Sequence, residues 1–293
     1  MIYWALCLAR RLARSLPRRL TYGAAAFLSD VAWLLLREQR ANAIDNMAHV
    51  LGLDRDDPEV RRKARASFRN YGYYVADFLM LPSLDLKEME SRFRFEGWEH
   101  IDEALAAGKG VIFISAHVGN WDLAAAVLAR RGYPVSVVAE TFRPKKLNDL
   151  VQGHREWHGL KVIPLEDPAR RVLGALRKNE ILGLLIDRPS PESGVLVRFF
   201  DGLTKVPAGA AVLALKTGAR LVSGVTVRNP DHTYSGFVTS HLDVELTGDP
   251  SVDVRLLTQR IMDTMEGFIR QYPDQWYIFR PMWFEDLSLT ACP

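Results

Sequence analysis

Apolar residues fall along this chain in two rhythms. Short uninterrupted apolar runs, set between glycines, prolines and polar turns, predict buried strands at 110–115, 135–139, 161–164, 181–186, 195–200, 221–227 and 234–240. Between them, apolar positions recur at helical spacing and predict helices at 121–131, 145–157, 169–178, 208–217 and 253–271. Two more helices, 37–51 and 58–81, precede the first strand, and the second carries an aromatic stripe of Phe68, Tyr71, Tyr73, Tyr74 and Phe78 that reads as core. Alternation of this kind predicts an α/β fold with a mostly parallel or mixed central sheet flanked by helices. In such sheets, sites gather beyond the carboxyl ends of the strands.

The first 36 residues keep a different pattern. Arg10, Arg11, Arg14, Arg18 and Arg19 all precede the first acid, Asp30, and are interleaved with Tyr3, Trp4, Leu6, Leu8, Leu12, Leu16 and Leu20. This is a basic amphipathic helical extension of the kind that lies in a membrane interface and meets anionic headgroups, with Pro17 breaking it or opening the next helix. The alternative is a solvated charged face. In 20–36 the apolar Leu20, Ala24, Phe27, Val31, Leu34 and Leu35 recur at helical spacing around Thr21, Gly23, Ser29 and Asp30, so the segment reads as amphipathic or partly buried, not transmembrane. The cations follow the first apolar run instead of preceding it, unlike a signal peptide.

Length and composition add bounds. At 293 residues and 48% hydrophobic, the chain can bury one large core, and no long Gly/Ser or Pro-rich linker divides it. The organisation expected is therefore a membrane-associating segment at 1–36 and a single α/β domain at 37–293. The chain has no internal repeat, no P-loop and no G-x-G-x-x-G after a strand, so neither nucleotide hydrolysis nor dinucleotide redox chemistry has support, and nothing points to nucleic acid. The two cysteines, Cys7 and Cys292, sit near opposite ends, which excludes a disulfide framework and suits a reducing compartment.

Candidate chemistry concentrates at the end of the 110–115 run, in Ser115-Ala116-His117-Val118-Gly119-Asn120-Trp121-Asp122. His117 falls in a strand-to-helix loop and Asp122 opens the helix. Residues five apart on a straight helix lie about 140° round from each other, so the pair converges only if Gly119 bends the loop. An imidazole oriented by a carboxylate is a general base. No G-x-S-x-G elbow offers a protein nucleophile, which leaves a substrate hydroxyl as the nucleophile. A histidine after a strand is as readily a hydrogen-bonded loop residue. Asn120 is a candidate oxyanion donor or a helix cap. Asp187, directly after the 181–186 run, occupies the same kind of strand-end position, and Arg188 beside it is a candidate substrate contact or simply the ion-pair partner of Asp187. Arg143, before Pro144, is a further candidate anion contact. His154 and His158 share a helical face, but H-R-E-W-H is not the H-E-x-x-H zinc pattern and no third ligand follows, so no metal is expected.

The string 115–122 resembles the H-x-x-x-x-D/E signature of the lysophospholipid acyltransferase superfamily, in the H-x-G-N-W/F-D/E form of its bacterial glycolipid branch. That branch comprises the late acyltransferases of lipid A synthesis and the phosphatidylinositol mannoside acyltransferases. Further similar strings follow in order: Arg155 in 154–159, Asp187-Arg188, 194–200, Val206-Pro207-Ala208-Gly209, Thr217-Gly218-Ala219, and Tyr272-Pro273-Asp274-Gln275-Trp276. Asp122 in place of glutamate, with 194–200 and 207–209, makes the chain look most like the phosphatidylinositol mannoside enzymes, although Arg188-Pro189-Ser190-Pro191 departs from their pattern.

The resemblance implies direct acyl transfer from a thioester, with His117 as base and Asp122 holding its tautomer. It carries Arg155 into the site as a phosphate or transition-state clamp, and Asp187 as an acceptor contact or a tuner of His117. It implies acyl-CoA or acyl carrier protein as co-substrate with no cofactor, a glycolipid or phospholipid acceptor, membrane lipids as partners, and the cytoplasmic face of the inner membrane as location. A lipid A-type or lysophospholipid acceptor, a hydrolase and a non-catalytic lipid-binding protein are the other readings.

Overall fold

A computed structural model describes residues 2–166 and 168–283, and Cys292 lies outside them. Its centre is a seven-stranded sheet in the order β1-β9-β8-β2-β5-β3-β4. The strands are β1 (Phe93–Glu96), β2 (Val111–Ser115), β3 (Val135–Ala139), β4 (Lys161–Pro164), β5 (Ile181–Leu185), β8 (Arg220–Arg228) and β9 (Tyr234–Val238). Every pairing in it is parallel except β8 with β9. β6 (Val195–Phe199) and β7 (Gly202–Val206) form a separate antiparallel hairpin.

The apolar run of β2 is explained by its place between β8 and β5, with helices over both faces. Ile112 and Ile114 are fully buried in the larger core, with Val60 and Phe68 of α4 (Pro58–Met80), Ala210 of α10 (Gly209–Thr217) and Met262 and Met265 of α11 (Pro250–Gln271). Val111 turns the other way, towards Ile101 of α6 (Trp98–Ala106) and Leu128 of α7 (Trp121–Arg130). Successive side chains on a strand point to opposite faces, so a strand covered on both sides is apolar throughout.

The remaining helices are α1 (Ile2–Ser15), α2 (Arg18–Leu35), α3 (Arg37–Leu51), α5 (Leu86–Ser91), α8 (Lys145–Glu156) and α9 (Ala169–Arg177). Pro17 ends α1 and caps α2. No described helix is long and apolar enough to cross a membrane. α2 is amphipathic in an inverted sense: Tyr22 and Trp33 are buried against the protein, while Leu20, Phe27, Leu34 and Leu35, members of the periodic apolar set, face outward. The row continues on α1, where Trp4 is 71% exposed and Leu8 and Leu12 lie open one turn and two turns further on. Among the cations of this region, Arg11, Arg14 and Arg19 are exposed, Arg10 is half-buried, and Arg18 is ion-paired with Glu88 of α5, so it is not unopposed as the sequence order suggests.

Candidate active site

β2 and β5 are neighbours in register, Val111 with Ile181 through Ser115 with Leu185, so the residues that follow them emerge side by side. His117 and Asp187 meet there. Asp187 Oδ1 lies 2.7 Å from His117 Nδ1, and Oδ2 accepts from the backbone N–H of His117 at 2.9 Å and from the indole N–H of Trp276 at 2.8 Å. Asp187 is wholly buried and His117 nearly so. Burial alone raises a carboxyl pKa, but the imidazole and the three donors outweigh it and hold Asp187 below the usual carboxylate range. An ionised carboxylate only accepts, so Nδ1 carries a proton, and in the neutral ring Nε2 is the nitrogen with the lone pair. Nε2 has no hydrogen-bond partner among the described residues, which is the state required of a general base.

The loop that carries His117 is fixed from both sides. Gly119 N–H donates to Gln275 O and Asn120 N–H to Thr226 O, each at 2.9 Å, while the His117 carbonyl accepts from Tyr277 N–H at 2.9 Å. Gly119 has φ +62°, and a Cβ there would lie 1.7 Å from Thr226 O, so only glycine fits. The bend anticipated at this residue is present, and a second chain segment has closed over it.

That bend does not bring Asp122 to His117. Asp122 turns towards α4 and α8, where it accepts from Arg155 Nε at 2.7 Å, from Arg155 Nη2 at 3.3 Å and from Tyr74 OH at 2.6 Å. The expectation that Asp122 holds the His117 tautomer is corrected: Asp187 makes that bond, because strand pairing sets the two loop residues together whereas the first turn of α7 points Asp122 elsewhere. Asp122 instead neutralises a buried arginine. Desolvation opposes the charge on Arg155, but the Asp122 carboxylate beside it raises its pKa well above normal; burial, and after it the same acid, raises the Tyr74 phenol. Arg155 is thus engaged by protein groups, Asp122 and Gln152, the latter at 2.8 Å.

Asn120 is the side-chain cap of α7, accepting from Leu123 N–H at 3.0 Å, and its amide reaches Tyr234 OH at 3.3 Å. Arg188 pairs with Glu140 at 2.7 Å, not with Asp187, whose oxygens are already occupied. Arg143 is exposed. His154 and His158 bond to the carbonyls of Phe78 and Leu81 at 3.1 and 2.8 Å, which ties α8 to the end of α4, and among the described residues no group of His, Cys, Asp and Glu could hold a metal ion.

Two site residues have no functional signal in the sequence pattern. Trp276 belongs to a string noted only for its resemblance, and Tyr74 sits in a stripe read as core. Around the His117 ring, Trp121 lies edge-on with centroids 5.0 Å apart, and Tyr74, Tyr71 and Tyr277 continue an aromatic wall.

A buried His–Asp pair at the carboxyl end of a parallel sheet, with one ring nitrogen free beside an aromatic wall, is suited to taking a proton from a hydroxyl. Comparison with known proteins gives this chemistry a setting. The model of the family described as bacterial lipid A biosynthesis acyltransferase matches residues 1–285. A phosphatidylinositol mannoside acyltransferase of Mycobacterium tuberculosis (strain ATCC 25618 / H37Rv) is 34% identical over 258 residues, spanning 83% of this chain and 77% of that protein. The protein of the same name from Mycolicibacterium smegmatis is 32% identical over 289 residues, 95% of this chain and 90% of its own length. A lipid A biosynthesis acyltransferase of Haemophilus influenzae is 26% identical over 191 residues, 65% of this chain and 58% of its own.

Proposed function

The chain belongs to the bacterial lipid A biosynthesis acyltransferase family, and from that membership and the His117 geometry we propose that it moves a fatty acyl chain from a thioester, acyl-CoA or acyl carrier protein, to a hydroxyl of a phosphatidylinositol mannoside-type glycolipid. The observation that carries this reading is the free Nε2 of His117, whose other nitrogen is held by Asp187 at 2.7 Å.

In the proposed step the acceptor hydroxyl gives its proton to Nε2 as its oxygen attacks the thioester carbonyl. Asp187 stabilises the imidazolium that forms. The tetrahedral intermediate collapses, the C–S bond breaks, and the thiolate recovers the proton. No acyl-enzyme is needed. The backbone N–H groups of Trp121 and Asp122, in the first turn of α7, are candidates for the oxyanion, since the Asn120 side chain is engaged in capping. Asp122, Arg155 and Tyr74 act as a positioning cluster that holds α7 against α4 and α8.

A lipid acceptor also accounts for the outward row of Trp4, Leu8, Leu12, Leu20 and Phe27 with Arg11, Arg14 and Arg19 beside it. We assign residues 1–36 to membrane contact at the cytoplasmic face of the inner membrane, as a peripheral or monotopic attachment.

The test is release of CoA from palmitoyl-CoA by the purified protein and by His117→Ala, with and without phosphatidylinositol mannosides, lysophospholipids and lipid A precursors, followed by mass spectrometry of the lipids. Acceptor-dependent gain of one acyl group, lost in His117→Ala, is expected. CoA release that ignores the acceptor would make the protein a thioesterase. Silence with both CoA and carrier-protein donors would overturn the transferase reading.

A further inference from the structure

Away from His117, a cavity of about 420 Å³ opens between α2, α4, the start of β1 and the β8–β9 turn. Neither His117, Asp122 nor Asp187 lines it. Its walls are strongly cationic. α2 contributes Arg18 and Arg19, Arg92 comes from the residue before β1, and His232 and Asp231 from the turn.

The charges are not balanced within the cavity. Glu88 neutralises Arg18. Arg92 donates to the Tyr22 hydroxyl and to the His232 carbonyl, both at 2.9 Å, and neither acceptor is charged. Arg19 is exposed, with no ion pair among the described residues. The opposing acid, Asp231, lies at the rim and is turned onto Thr233, accepting from its N–H at 2.9 Å and its hydroxyl at 2.6 Å. Two guanidinium groups therefore face one acid that is already hydrogen-bonded.

His232 adds a neutral donor. Its backbone is left-handed at φ +64°, and its ring packs at a tilt against Tyr22, with centroids 4.4 Å apart. Arg228 Nη1 lies 2.9 Å from His232 Nδ1. A guanidinium only donates, so Nδ1 must accept and the ring proton resides on Nε2. Beneath, Arg228 is paired with Asp77, which also receives the hydroxyls of Tyr22 (2.7 Å) and Tyr234. The floor is thus neutral and rigid, and the net positive charge belongs to the walls.

We propose that this cavity is a phosphate-ester subsite, with Arg19, Arg92 and the Nε2–H of His232 as its donors. Arginine forks and a ring N–H match phosphate oxygens, and the volume falls within the roughly 300–1,000 Å³ of small-ligand sites. The phosphate is that of a lipid headgroup or of a soluble phosphate ester. Leu20 and Phe27, exposed along α2 beside Arg19 and Gly23, and the exposed Leu16 just before that helix favour a lipid whose chains continue over apolar surface. The site requires no turnover and stands or falls independently of His117 chemistry.

Gly23 provides the test. It lines the cavity in mid-helix, and a Cβ there meets nothing within 4 Å, so a side chain at 23 enters the cavity without disturbing the core, and helix propensity improves. Calorimetric titration of the full chain uses dihexanoyl phosphatidylglycerol below its micelle concentration, sn-glycerol 3-phosphate, and phosphate-free dihexanoylglycerol. Soluble probes separate the cavity from the interfacial row. Gly23→Glu and Arg19→Gln are expected to weaken the phosphate-bearing lipid about tenfold or more, the equivalent of one charge-assisted hydrogen bond, while Gly23→Ala stays within about twofold. Tighter binding of the lipid than of glycerol phosphate identifies the lipid source, and equal binding the soluble one. Wild-type affinity in both Gly23→Glu and Arg19→Gln, or no preference of the native chain for a phosphate-bearing probe over dihexanoylglycerol, would overturn the proposal. Should Gly23→Glu fail to fold, Arg19→Gln, on an exposed residue, decides alone.

Discussion

The two acids near His117 have different tasks, and amide substitutions separate them. In Asp187→Asn the amide oxygen is retained by the N–H groups of His117 and Trp276, which places the NH₂ opposite His117 Nδ1. That nitrogen must then accept, and the ring proton moves to Nε2. The expected result is a loss of about 10²–10⁴-fold in kcat/KM with little change in unfolding midpoint, checked by kinetics and by ¹⁵N chemical shifts of the imidazole. In Asp122→Asn the His117–Asp187 pair is untouched, but Arg155 remains buried without its counter-ion. Stability is expected to fall by about 3–5 kcal/mol in urea titration, with the His117 tautomer unaltered. A variant pair with these results exchanged would return Asp122 to the base and make Asp187 structural.

At the scale of elements, the loop from β2 to α7 is the least forgiving part of the chain. Gly119→Ala sets a Cβ against Thr226 O at a left-handed backbone angle, and is expected to cost about 3 kcal/mol or more and to abolish activity with the fold, which a melting curve and an assay on the same sample would show. α1 carries the opposite expectation. Trp4 and Leu8 are 71% and 59% exposed, so Trp4→Ser with Leu8→Ser should leave the melting temperature unchanged while weakening cosedimentation with anionic vesicles by about tenfold or more. Unchanged sedimentation would count against membrane contact through this face.

The same scale shows what the amino-acid pattern discloses. α3, β3 and β4 fall on the bounds their periodicity predicts, because each combines a consistent repeat with clear end signals, such as Gly52 after α3 at φ +64°. The stretch holding α5, β1 and α6 was not legible. Its elements are short, and β1 is an edge strand whose partner, β9, lies far along the chain, so no window contains enough repeats. The hairpin strand β7, five residues long with Gly202 at its start and Lys205 within it, is also too short to give a legible repeat, although its partner β6 is adjacent in the chain. In the site, strand-end placement identifies both His117 and Asp187, but their pairing across 70 residues depends on β2 lying beside β5, which local pattern does not encode.

For the molecule as a whole, two buried histidines make stability depend on acidity. Burial, first of all, lowers His154 to about 4, with the charge of Arg10 on α1 adding to it, and burial lowers His158 in the same direction. Folding keeps both rings neutral, so below the ordinary imidazole value of about 6.5 the unfolded chain binds more protons than the native one. The stability these residues provide is complete above that value and is lost as pH falls towards about 4. Urea unfolding should show His154 contributing a loss of about 2 kcal/mol between pH 7 and pH 5, and His154→Gln should flatten that slope. A slope unchanged in the variant would assign the acid sensitivity to other groups.

The backbone clasp around Gly119 sets a limit on motion. Because Gly119 and Asn120 give their amide protons to Gln275 and Thr226, which lie far apart in the chain, neither proton is released unless β8 or the 272–277 segment also separates. The amides of the loop that carries His117 should therefore exchange with deuterium no faster than those of β2 in the middle of the sheet. Heat should then abolish turnover along the same curve on which the molecule melts, with no window in which an intact fold has lost its base.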